Sequence, residues 1–316
     1  MSLACRPTIT HEIEIKGIKI LLSRDDLTGS ELSGNKIRKL EFLLSDCILN
    51  KKQTKVITVG GIQSNHCRAT VVACRRVGLE PFIVLNGTDQ AADNLPIQGN
   101  VIFDKFFGAN IFTETQSETR NQIADRMALE LDAYSIPCGG SNAIGTWGYI
   151  EKWSELMEQG VLNDKKNIFV ALGSGGTAAG LILGNYLTGN KQKIYLIQVA
   201  DTIQSLKADI ENIIKRFTIN GNSLEPEVVM KETVFISGIG LGYAQSRQEE
   251  LEFIFDISQK NGIFFDRVYS GKALIKMIEI INNDHLNDCL FIHTGGIHSI
   301  SDKPIIDFIK SKSLLL

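Results

Sequence analysis

Several features that mark specialised classes of protein are absent from this chain of 316 residues. It contains 6 prolines, too few for a proline-rich linker. No stretch reaches the roughly 18 continuous apolar residues that a membrane-spanning helix needs. Its 33 Lys and Arg against 36 Asp and Glu give a net charge of −3, so it lacks the basic excess typical of nucleic-acid binding. We therefore expect neither nucleic acid nor a membrane surface as a partner.

The cysteines form neither a metal-binding nor a disulfide pattern. None of the 6 cysteines belongs to a Cys-x-x-Cys pair, and their spacing fits neither a zinc site nor a dense disulfide scaffold. Cys67 and Cys74 lie in a predicted helix, which favours two buried small side chains over a bridge. The first residues, 1–7, lack the apolar core of a signal peptide. We expect reduced thiols, no metal, and a protein that is not secreted.

The composition is that of an ordinary globular chain with a sizeable core. Hydrophobic residues make up 43% and charged residues 22%, which excludes disordered and fibrous classes. At roughly 100–200 residues per domain, the length predicts two domains or one large α/β unit. The placement of the 28 glycines then needs an explanation.

Short runs rich in β-branched residues alternate with helical patterns along most of the chain. Such alternation predicts parallel β-sheets covered by helices. A glycine turn at residues 139–142 separates two such stretches, so we expect an α/β protein of two parallel-sheet domains with a cleft between them. The predicted strands are 56–59, 81–85, 111–113, 133–136, 168–172, 194–199 and 290–293, and the predicted helices include 68–77, one through Ile123, Met127 and Leu131, and one from Thr177.

Three glycine-rich loops follow predicted strands, at residues 60–66, 173–180 and 293–296. In parallel α/β sheets, ligands bind beyond the carboxyl ends of the strands, where helix N-termini and free backbone N–H groups hold anions. A single loop of this kind is explained equally well by a tight turn that needs positive φ. Three in one chain favour a cleft that binds an anionic ligand.

The second loop also fits another pattern. Residues 173–178 have the Gly-x-Gly-x-x-Ala form of the dinucleotide fingerprint, and Asp201 follows the next strand about where a ribose-binding acid should lie. The Ser and Thr of this loop are better suited to one phosphate monoester held by hydroxyl and amide groups. A dinucleotide-dependent oxidoreductase therefore remains the alternative from a different enzyme class.

Lys36 and Lys39 begin a predicted helix whose apolar side includes Leu40, Leu43 and Leu44. Their i, i+3 spacing places them on one face. The simplest interpretation is a solvated basic helix start, but cations in a first turn oppose the helix dipole. With a phosphate-type loop elsewhere, a lysine after a Gly-Asn turn indicates a pyridoxal phosphate enzyme. In such enzymes the amine forms a Schiff base, and burial lowers its pKa.

The order of these motifs resembles the 1-aminocyclopropane-1-carboxylate deaminase/D-cysteine desulfhydrase family of fold-type II pyridoxal phosphate enzymes. The resemblance runs from about Arg24 to Asp302. Four motifs in the same order identify a family far more specifically than the single dinucleotide fingerprint at residues 173–178. The segments that carry the resemblance are residues 33–41, 60–68, 173–177 and 293–296, and segments 145–150 and 268–273 look closest to the plant-type desulfhydrase branch.

This resemblance implies a three-layer α/β fold like that of the tryptophan synthase β subunit. Residues 1–44 and 147–316 would form a larger, cofactor-binding domain, and residues 45–146 a smaller one. The implied cofactor is pyridoxal 5′-phosphate, the substrate a small amino acid and the assembly a homodimer. Relatives of the plant type can be mitochondrial, so the expected compartment is the cytoplasm or the mitochondrial matrix.

The resemblance also assigns roles to residues that match the family motifs. Lys36 would be the Schiff-base lysine, and Lys39 would reach the cofactor phosphate. Tyr243 and Tyr269 align with two active-site tyrosines of the family, and with Lys36 and Ser64 they are the expected catalytic residues. The other expected cofactor-binding residues are Asn65, Ser174, Gly175, Gly176, Thr177, Ser270 and Thr294, and the expected substrate-binding residues are Gln63, Ser64, Asn65 and His66.

Two positions divide the activities of the family. Deaminases carry Glu after the second tyrosine and Leu before the last Gly-Gly, whereas this chain has Ser270 and Thr294, as desulfhydrases do. A carboxylate beside the pyridine nitrogen keeps that nitrogen protonated and makes the ring a stronger electron sink. Opening a cyclopropane needs the stronger sink, whereas expelling a thiolate does not. We therefore expect β-elimination from D-cysteine to pyruvate, ammonia and hydrogen sulfide, with the cyclopropane deaminase as the nearest alternative and a non-catalytic relative as a third.

Two departures from the family pattern lie near Tyr243. Arg267 stands where the family usually has Pro, and residues 241–244 lack the bacterial Pro-Gly-Tyr-Gly form. These departures affect the expected backbone around Tyr243, and with it the placement of that side chain.

Two other pairs of polar residues are interpreted as structural. His293 and His298 lack the further Cys or carboxylate partners that a metal site would need. Asp25 and Asp26 are adjacent in a predicted turn and seldom converge on one atom, so we expect them to be turn and capping residues.

Overall fold

The computed structural model describes residues 1–86, 92–189, 192–219 and 221–313. Within them the backbone forms two mainly parallel sheets and one short hairpin. The strands are β1 (Thr10–Ile15), β2 (Ile18–Arg24), β3 (Lys55–Gly60), β4 (Glu80–Leu85), β5 (Asn110–Thr113), β6 (Tyr134–Ile136), β7 (Asn167–Leu172), β8 (Lys193–Gln198), β9 (Thr218–Ile219), β10 (Asn222–Ser223), β11 (Thr233–Ser237) and β12 (Cys289–His293).

Helices cover both sheets. None of those in the described ranges is long and apolar enough to cross a membrane. The helices are α1 (Lys36–Ser45), α2 (Asn65–Arg76), α3 (Asn100–Phe106), α4 (Arg120–Leu131), α5 (Ala143–Glu158), α6 (Val161–Asp164), α7 (Gly176–Leu187), α8 (Ile203–Arg216), α9 (Pro226–Val229), α10 (Gln248–Asn261), α11 (Ser270–Asp284) and α12 (Lys303–Ser313).

The larger sheet has the strand order β1-β2-β12-β7-β8-β11. Its β7 is an almost continuous apolar run, which is typical of a strand that is buried on both faces. Because successive side chains of a strand point to opposite faces, Ile168, Val170 and Leu172 join the core beneath α5, α7 and α8. Phe169 joins the opposite core, beneath α10 and α11. The sheet is therefore the middle layer of three.

The smaller sheet has the order β5-β4-β3-β6, and all its neighbouring strands are parallel. Its β3 follows the same rule of alternation. Ile57 and Val59 pack with residues of α4 on one face, and Val56 packs with α1 and α2 on the other. The three-layer α/β architecture expected from the sequence is thus confirmed for both sheets.

The predicted strands and helices are present with small shifts at their ends. Helix α2 begins at Asn65, earlier than predicted, because the Ser64 side chain accepts hydrogen bonds from two backbone N–H groups and caps the helix. The sequence pattern missed the β1–β2 hairpin and β11. The larger sheet is not wholly parallel as expected, since β1 runs antiparallel to β2. Lys16 and Gly17, both at positive φ, form the two-residue turn between them.

Helix α1 joins the two halves of the molecule. Its predicted apolar residues Leu40, Leu43 and Leu44 are buried in the core of the smaller sheet. On another side α1 packs against α5 so closely that a Cβ on Gly148 would overlap the backbone of Arg38. The start of α1 is therefore held at the junction of the sheets. The boundaries 44/45 and 146/147 of the two expected domains remain a prediction.

A buried ionic cluster, formed by Asp25, Arg38, Lys152 and Glu155, fixes α1 to α5. Arg38 donates to Asp25 Oδ1 at 2.9 Å and to Glu155 Oε2 at 3.0 Å. Lys152 Nζ lies 2.6 Å from Glu155 Oε1 and 3.4 Å from Asp25 Oδ1. Although burial alone would raise it, Arg38 and Lys152 hold the pKa of Asp25 well below its usual range.

The expectation that Asp25 is only a turn or capping residue is therefore wrong. Asp25 does lie in a short 3-10 helix with Asp26, but its side chain is fully buried in the ionic cluster. Asp26 remains near the surface and pairs with Arg24 at 2.6 Å. Local sequence suggested the turn, whereas the partners of Asp25 come from helices far along the chain.

Candidate active site

A cavity of about 630 Å³ lies where the two sheets meet, and the loops after β3, β7 and β12 all line it. Because the carboxyl ends of parallel strands share one edge of a sheet, these glycine loops were expected to converge. Of the expected site residues, the structure brings these to the cavity wall: Lys36, Ser64, Asn65, His66, Ser174, Gly175, Thr177, Tyr243, Tyr269 and Thr294.

Lys36 is the first residue of α1 and borders the cavity. Its Nζ donates a hydrogen bond to Asn35 Oδ1 at 2.9 Å, and Asn35 Nδ2 donates to Thr177 Oγ1 at 2.9 Å. No ion pair joins Lys36 to a carboxylate within the described part of the chain. Burial is the main cause that lowers the pKa of Lys36 to about 8. A neutral amine is therefore accessible near physiological pH.

The turn before Lys36 is held by close backbone packing. The Asn35 N–H donates to the Thr294 carbonyl at 2.9 Å. Gly34 and Gly295 both have positive φ, and a Cβ on Gly34 would lie 2.9 Å from the same carbonyl oxygen. Since only glycine combines this φ with this approach, the Gly-Asn turn and the last Gly-Gly motif form one unit. That unit fixes the direction in which Lys36 leaves the backbone.

An anion cradle, formed by Ser141, Ser174, Gly175, Gly176 and Thr177, lies at the start of α7. The hydroxyls of Ser141 and Ser174 are 2.9 Å apart, and the Gly176 N–H donates to Ser141 Oγ at 3.2 Å. Gly175 at φ +80° leads into α7, and a Cβ on Gly176 would crowd Ser141. Hydroxyls and backbone N–H groups at the N-terminus of a 12-residue helix suit a phosphate.

Ser141 is a site residue that the sequence analysis missed. It lies in the segment 139–142, which was interpreted only as a glycine turn between domains. Its small side chain directly before α5 resembles the composition of the other glycine loops, and that similarity was the available signal. Cys138, an exposed thiol on the cavity wall, was also missed, because the cysteines were considered only for metal binding and disulfides.

Lys39 is not on the cavity wall. Its Nζ donates to the carbonyl of Gly139, and the side chain is almost fully buried. A Cβ on Gly139 would overlap the Ser174 side chain, so the amino group of Lys39 lies directly behind the anion cradle. Burial, and next Lys36, lower the pKa of Lys39 well below its ordinary value. The side chain therefore lies one layer behind the cradle, and its expected contact with the cofactor phosphate remains a prediction.

The start of α2 provides a second group of backbone donors. Ser64 caps the helix, and its Oγ accepts hydrogen bonds from the N–H groups of His66 and Cys67, each at 3.2 Å. Asn65 is oriented by Asn100, whose Nδ2 donates to Asn65 Oδ1 at 3.0 Å. Ser64 and Asn65 both line the cavity, where the helix dipole favours an anion.

Gln63 does not join this group. Its Oε1 accepts from the Asn100 N–H at 2.8 Å, and its Nε2 donates to the Gln98 carbonyl at 3.1 Å. The side chain is thus held by the segment before α3, away from the residues that line the cavity. The expected substrate contact of the Gln63 side chain therefore remains a prediction.

His66 lies on the cavity wall with a defined tautomer. The Thr58 hydroxyl donates its proton to the Ile136 carbonyl at 2.8 Å, so His66 Nε2, 2.8 Å from Thr58 Oγ1, must be the donor in that bond. Burial, then Lys36 and Lys39, lower the pKa of His66 well below its usual value. The imidazole is therefore neutral, and its Nδ1 carries no proton.

Two tyrosines complete the wall. The hydroxyls of Tyr243 and Tyr269 are 2.7 Å apart, and the rings meet edge to face with centroids 6.0 Å apart. Burial raises the pKa of both phenols, so they are neutral near physiological pH. Tyr269 packs against the second glycine loop, since a Cβ on Gly173 would lie 3.1 Å from its ring.

Ser270 begins α11, directly after Tyr269, and is fully buried. Its Oγ donates to Asp266 Oδ1 at 2.6 Å and accepts from the Asp266 N–H at 2.9 Å. Asp266 in turn accepts from the backbone N–H groups of Val268, Tyr269 and Ser270. The hydroxyl of Ser270 is therefore held in place by a carboxylate that caps the helix.

The two histidines near the C-terminus have structural contacts. His293 Nε2 lies 2.8 Å from the Phe264 carbonyl, and its Nδ1 accepts from the Gly295 N–H. His298 packs on Phe103 and lies 3.2 Å from the Ser30 carbonyl. In the described residues no group of three metal-ligand side chains is present.

These features define a class of protein. A lysine with a lowered pKa, an anion cradle at a helix start and two neutral tyrosines share one cleft between two α/β sheets, as in pyridoxal phosphate enzymes of fold type II. A family model described as "Pyridoxal-phosphate dependent enzyme" matches residues 2–295. The chain belongs to this family, and its cofactor is pyridoxal phosphate. The dinucleotide interpretation of residues 173–178 is not supported.

Relatives of known description agree with this assignment. The chain is 37% identical to the Arabidopsis thaliana protein named bifunctional D-cysteine desulfhydrase/1-aminocyclopropane-1-carboxylate deaminase, mitochondrial, over 96% of this chain and 79% of that protein. It is 33% identical to the D-cysteine desulfhydrase of Serratia proteamaculans, over 89% and 87%. A crystal structure described as an ACC deaminase homologue superposes with a TM-score of 0.83 at 28% identity, over 98% and 94%.

Proposed function

We propose that this protein is a β-elimination lyase that converts D-cysteine and water into pyruvate, ammonia and hydrogen sulfide. The observation that carries the proposal is Lys36, whose pKa is lowered to about 8 in the cavity that also contains the anion cradle. The names of the relatives from Arabidopsis thaliana and Serratia proteamaculans support the same substrate.

The residues at the cavity fit pyridoxal phosphate. The anion cradle would hold its phosphate, with the amino group of Lys39 behind it. Lys36 would bind its aldehyde carbon, and Asn65 would contact its phenolic oxygen. Ser270 and Thr294 would lie at the ring. When bound, pyridoxal phosphate supplies an aldehyde that condenses with amines and a conjugated ring that delocalises the electron pair released at Cα.

The N-terminus of α2 would bind the substrate carboxylate. Ser64 and Asn65 lie on the cavity wall at the first turn of this 12-residue helix, so backbone N–H groups and the helix dipole favour a negative charge there. The neutral His66 beside them adds no competing charge. This placement orients the amino acid with its Cα toward Lys36.

Lys36 is the proposed base. In its neutral form its Nζ takes the proton from Cα, the electron pair of that C–H bond forms the Cα–Cβ double bond, and the Cβ–S bond breaks. The neutral phenols of Tyr243 and Tyr269 would give the departing thiolate a proton. Water then hydrolyses the released enamine to pyruvate and ammonia.

The second candidate is 1-aminocyclopropane-1-carboxylate deamination, which the names of the Arabidopsis relative and of the superposed structure support. Ser270 favours the desulfhydrase. Its hydroxyl, held by Asp266, offers the ring a weaker partner than the carboxylate of a Glu would. Sulfide and pyruvate release from D- and L-cysteine, measured beside 2-oxobutanoate release from the cyclopropane substrate, decides between the two. Faster 2-oxobutanoate release would reverse the assignment.

We further propose the domain division and assembly expected from the sequence. Residues 1–44 and 147–316 would form the larger domain and residues 45–146 the smaller, in line with the distribution of strands between the two sheets. The assembly would be a homodimer in the cytoplasm or the mitochondrial matrix, with neither nucleic acid nor a membrane as partner. Light scattering on the eluting protein tests the dimer, and a monomeric mass would contradict it.

A further inference from the structure

Tyr243 lies on a surface loop whose backbone needs support. The loop, residues 238–246, connects β11 to the region before α10 and contains positive φ angles at Gly240, Gly242 and Ala244. Ala244, at φ +56°, adopts a conformation that is unfavourable by roughly 1–2 kcal/mol for a residue with a Cβ. About half of the Tyr243 side chain is exposed. Its position against Tyr269 must therefore come from contacts elsewhere in the loop.

Lys272 supplies two of these contacts. Its side chain is almost fully buried, and its Nζ donates to the carbonyls of Ile239 and Gly242, each at 2.7 Å. Lys272 lies in the first turn of α11, where a cation opposes the helix dipole. Hydrogen bonds from a charged donor are stronger than those between two neutral groups. The ammonium is thus directed at the two carbonyls of the Tyr243 loop.

Arg267 supplies a third contact, on the other side of Tyr243. Its guanidinium donates to the carbonyl of Ala244, while the Ser246 hydroxyl donates to the Arg267 carbonyl at 3.3 Å. Arg267 is one of the two departures from the family pattern noted in the sequence, and Ala244 belongs to the other, the segment 241–244. The structure brings these two departures into direct contact.

The two cations come from the segment that carries Tyr269. Arg267 and Lys272 flank Tyr269 and Ser270, so the carbonyls on both sides of Tyr243 are held by the same short stretch of chain. The hydroxyls of Tyr243 and Tyr269 are 2.7 Å apart in this arrangement. We expect a change at either cation to move one tyrosine relative to the other.

We propose that Lys272 and Arg267 are positioning residues that clamp the Tyr243 loop and set the tyrosine pair for proton transfer to the leaving group. The clamp itself is a property of the loop, whereas its effect on turnover rests on the proposed function. Neither cation touches the substrate in this scheme. Both act through Tyr243.

Hydrogen exchange of the loop tests the clamp without any substrate. In Lys272→Met, the amides of residues 239–246 are expected to exchange about 10- to 100-fold faster, because the loss of hydrogen bonds from a charged donor frees the loop. Lys276→Met is the matched control, since Lys276 lies one turn later in α11 and pairs with Glu279 instead. Arg267→Met is a second variant, in case Lys272→Met folds poorly. Unchanged loop exchange in a folded variant of either cation would overturn the proposal.

Kinetics with D-cysteine tests whether the clamp acts through Tyr243. Lys272→Met is expected to lower kcat about tenfold with a smaller change in KM. Lys272→Arg, which keeps the positive charge, is expected to retain part of the lost kcat. The double variant Lys272→Met with Tyr243→Phe should be no slower than Tyr243→Phe alone. Each single substitution already removes the contribution of the Tyr243 hydroxyl to turnover. Additive losses would indicate a merely structural role and overturn the assignment. A wild-type protein that releases no sulfide would contradict the proposed function, and loop exchange would still decide on the clamp.

Discussion

Two faces of helix α1 carry buried cations with opposite chemistry. Arg38 is enclosed in the ionic cluster, where Asp25 and Glu155 outweigh the effect of burial and raise its pKa. Lys36, two residues earlier, borders the cavity, and burial lowers its pKa to about 8. Lys39, one turn later, is bound by a carbonyl and has its pKa lowered as well.

The difference between Arg38 and Lys36 shows that burial alone does not decide whether a basic side chain is protonated. A buried cation surrounded by carboxylates keeps its proton and holds the fold together, whereas one that faces neutral groups becomes a reactive amine. Within one turn, helix α1 therefore has a stable side, which carries Arg38, and a reactive side, which carries Lys36. The ionic cluster on the stable side keeps the reactive side in place.

The largest effect is expected from Lys36→Ala. This variant should lose D-cysteine turnover by about 10³-fold or more, because it removes both the amine that binds the cofactor and the proposed base. The visible absorption band of lysine-bound cofactor should disappear at the same time. Far-UV circular dichroism should stay unchanged, since the contacts of the ionic cluster remain. A variant that kept both the band and the turnover would refute the role of Lys36.

Arg38→Met tests how much the ionic cluster on the other face of α1 contributes to stability. Removing the guanidinium leaves the carboxylates of Asp25 and Glu155 buried with Lys152 as their remaining cation. We expect the free energy of unfolding to fall by about 3–5 kcal/mol, as measured by denaturant titration. Arg126→Met, which removes an exposed ion pair with Glu118, is the control and should change stability by under about 1 kcal/mol. If Arg38→Met and Arg126→Met lost equal free energies of unfolding, the buried ionic cluster would be no more important for stability than an exposed ion pair.

Ser270→Glu introduces a carboxylate at the start of α11, where the cofactor ring is proposed to bind. It should lower sulfide release from D-cysteine about tenfold and raise the ratio of 2-oxobutanoate to sulfide, because a carboxylate at the ring strengthens the electron sink. Combining it with Thr294→Leu should increase that shift. Ser270→Thr keeps the hydroxyl and is the matched control. A product ratio that did not move would mean that Ser270 does not set the choice of reaction.

The smallest effect is a pH dependence. Recombination of the cofactor-free protein with pyridoxal phosphate needs neutral Lys36, so its rate should rise with pH and level off above about 8. Because the unfolded chain binds this proton more tightly than the folded chain, the lysine destabilises the fold at low pH. That penalty should decrease as the pH rises above about 8. Lys36→Met should lack both pH effects, and a wild-type midpoint near the ordinary lysine value would contradict the argument.

Features that depend on neighbouring residues could be predicted from the sequence. The predicted strands, which leave out β1, β2 and β11, the helix that begins at Lys36 and the convergence of the three glycine loops follow from local periodicity and from the geometry of parallel sheets. The family resemblance then identified the cofactor. These inferences needed only short segments and a general rule about strand ends.

Features that depend on distant partners could not be predicted. Lys36 and Lys39 share a helix face, yet the carbonyl of Gly139 draws Lys39 behind the anion cradle. Asn100 and Gln98 hold the side chain of Gln63, although its neighbour Ser64 reaches the cavity. Asp25 finds its partners in α1 and α5. In each case the deciding contact joins residues that are well separated along the chain.

The backbone contact between the Gly-Asn turn and the last Gly-Gly motif has a consequence for synthesis on the ribosome. The turn before Lys36 is made early, but its partner carbonyl at Thr294 and the strand β12 that leads to it are synthesised about 260 residues later. A nascent chain that lacks β12 also lacks the strand between β2 and β7. The reactive lysine can therefore be held in its working direction only after Thr294 has left the ribosome.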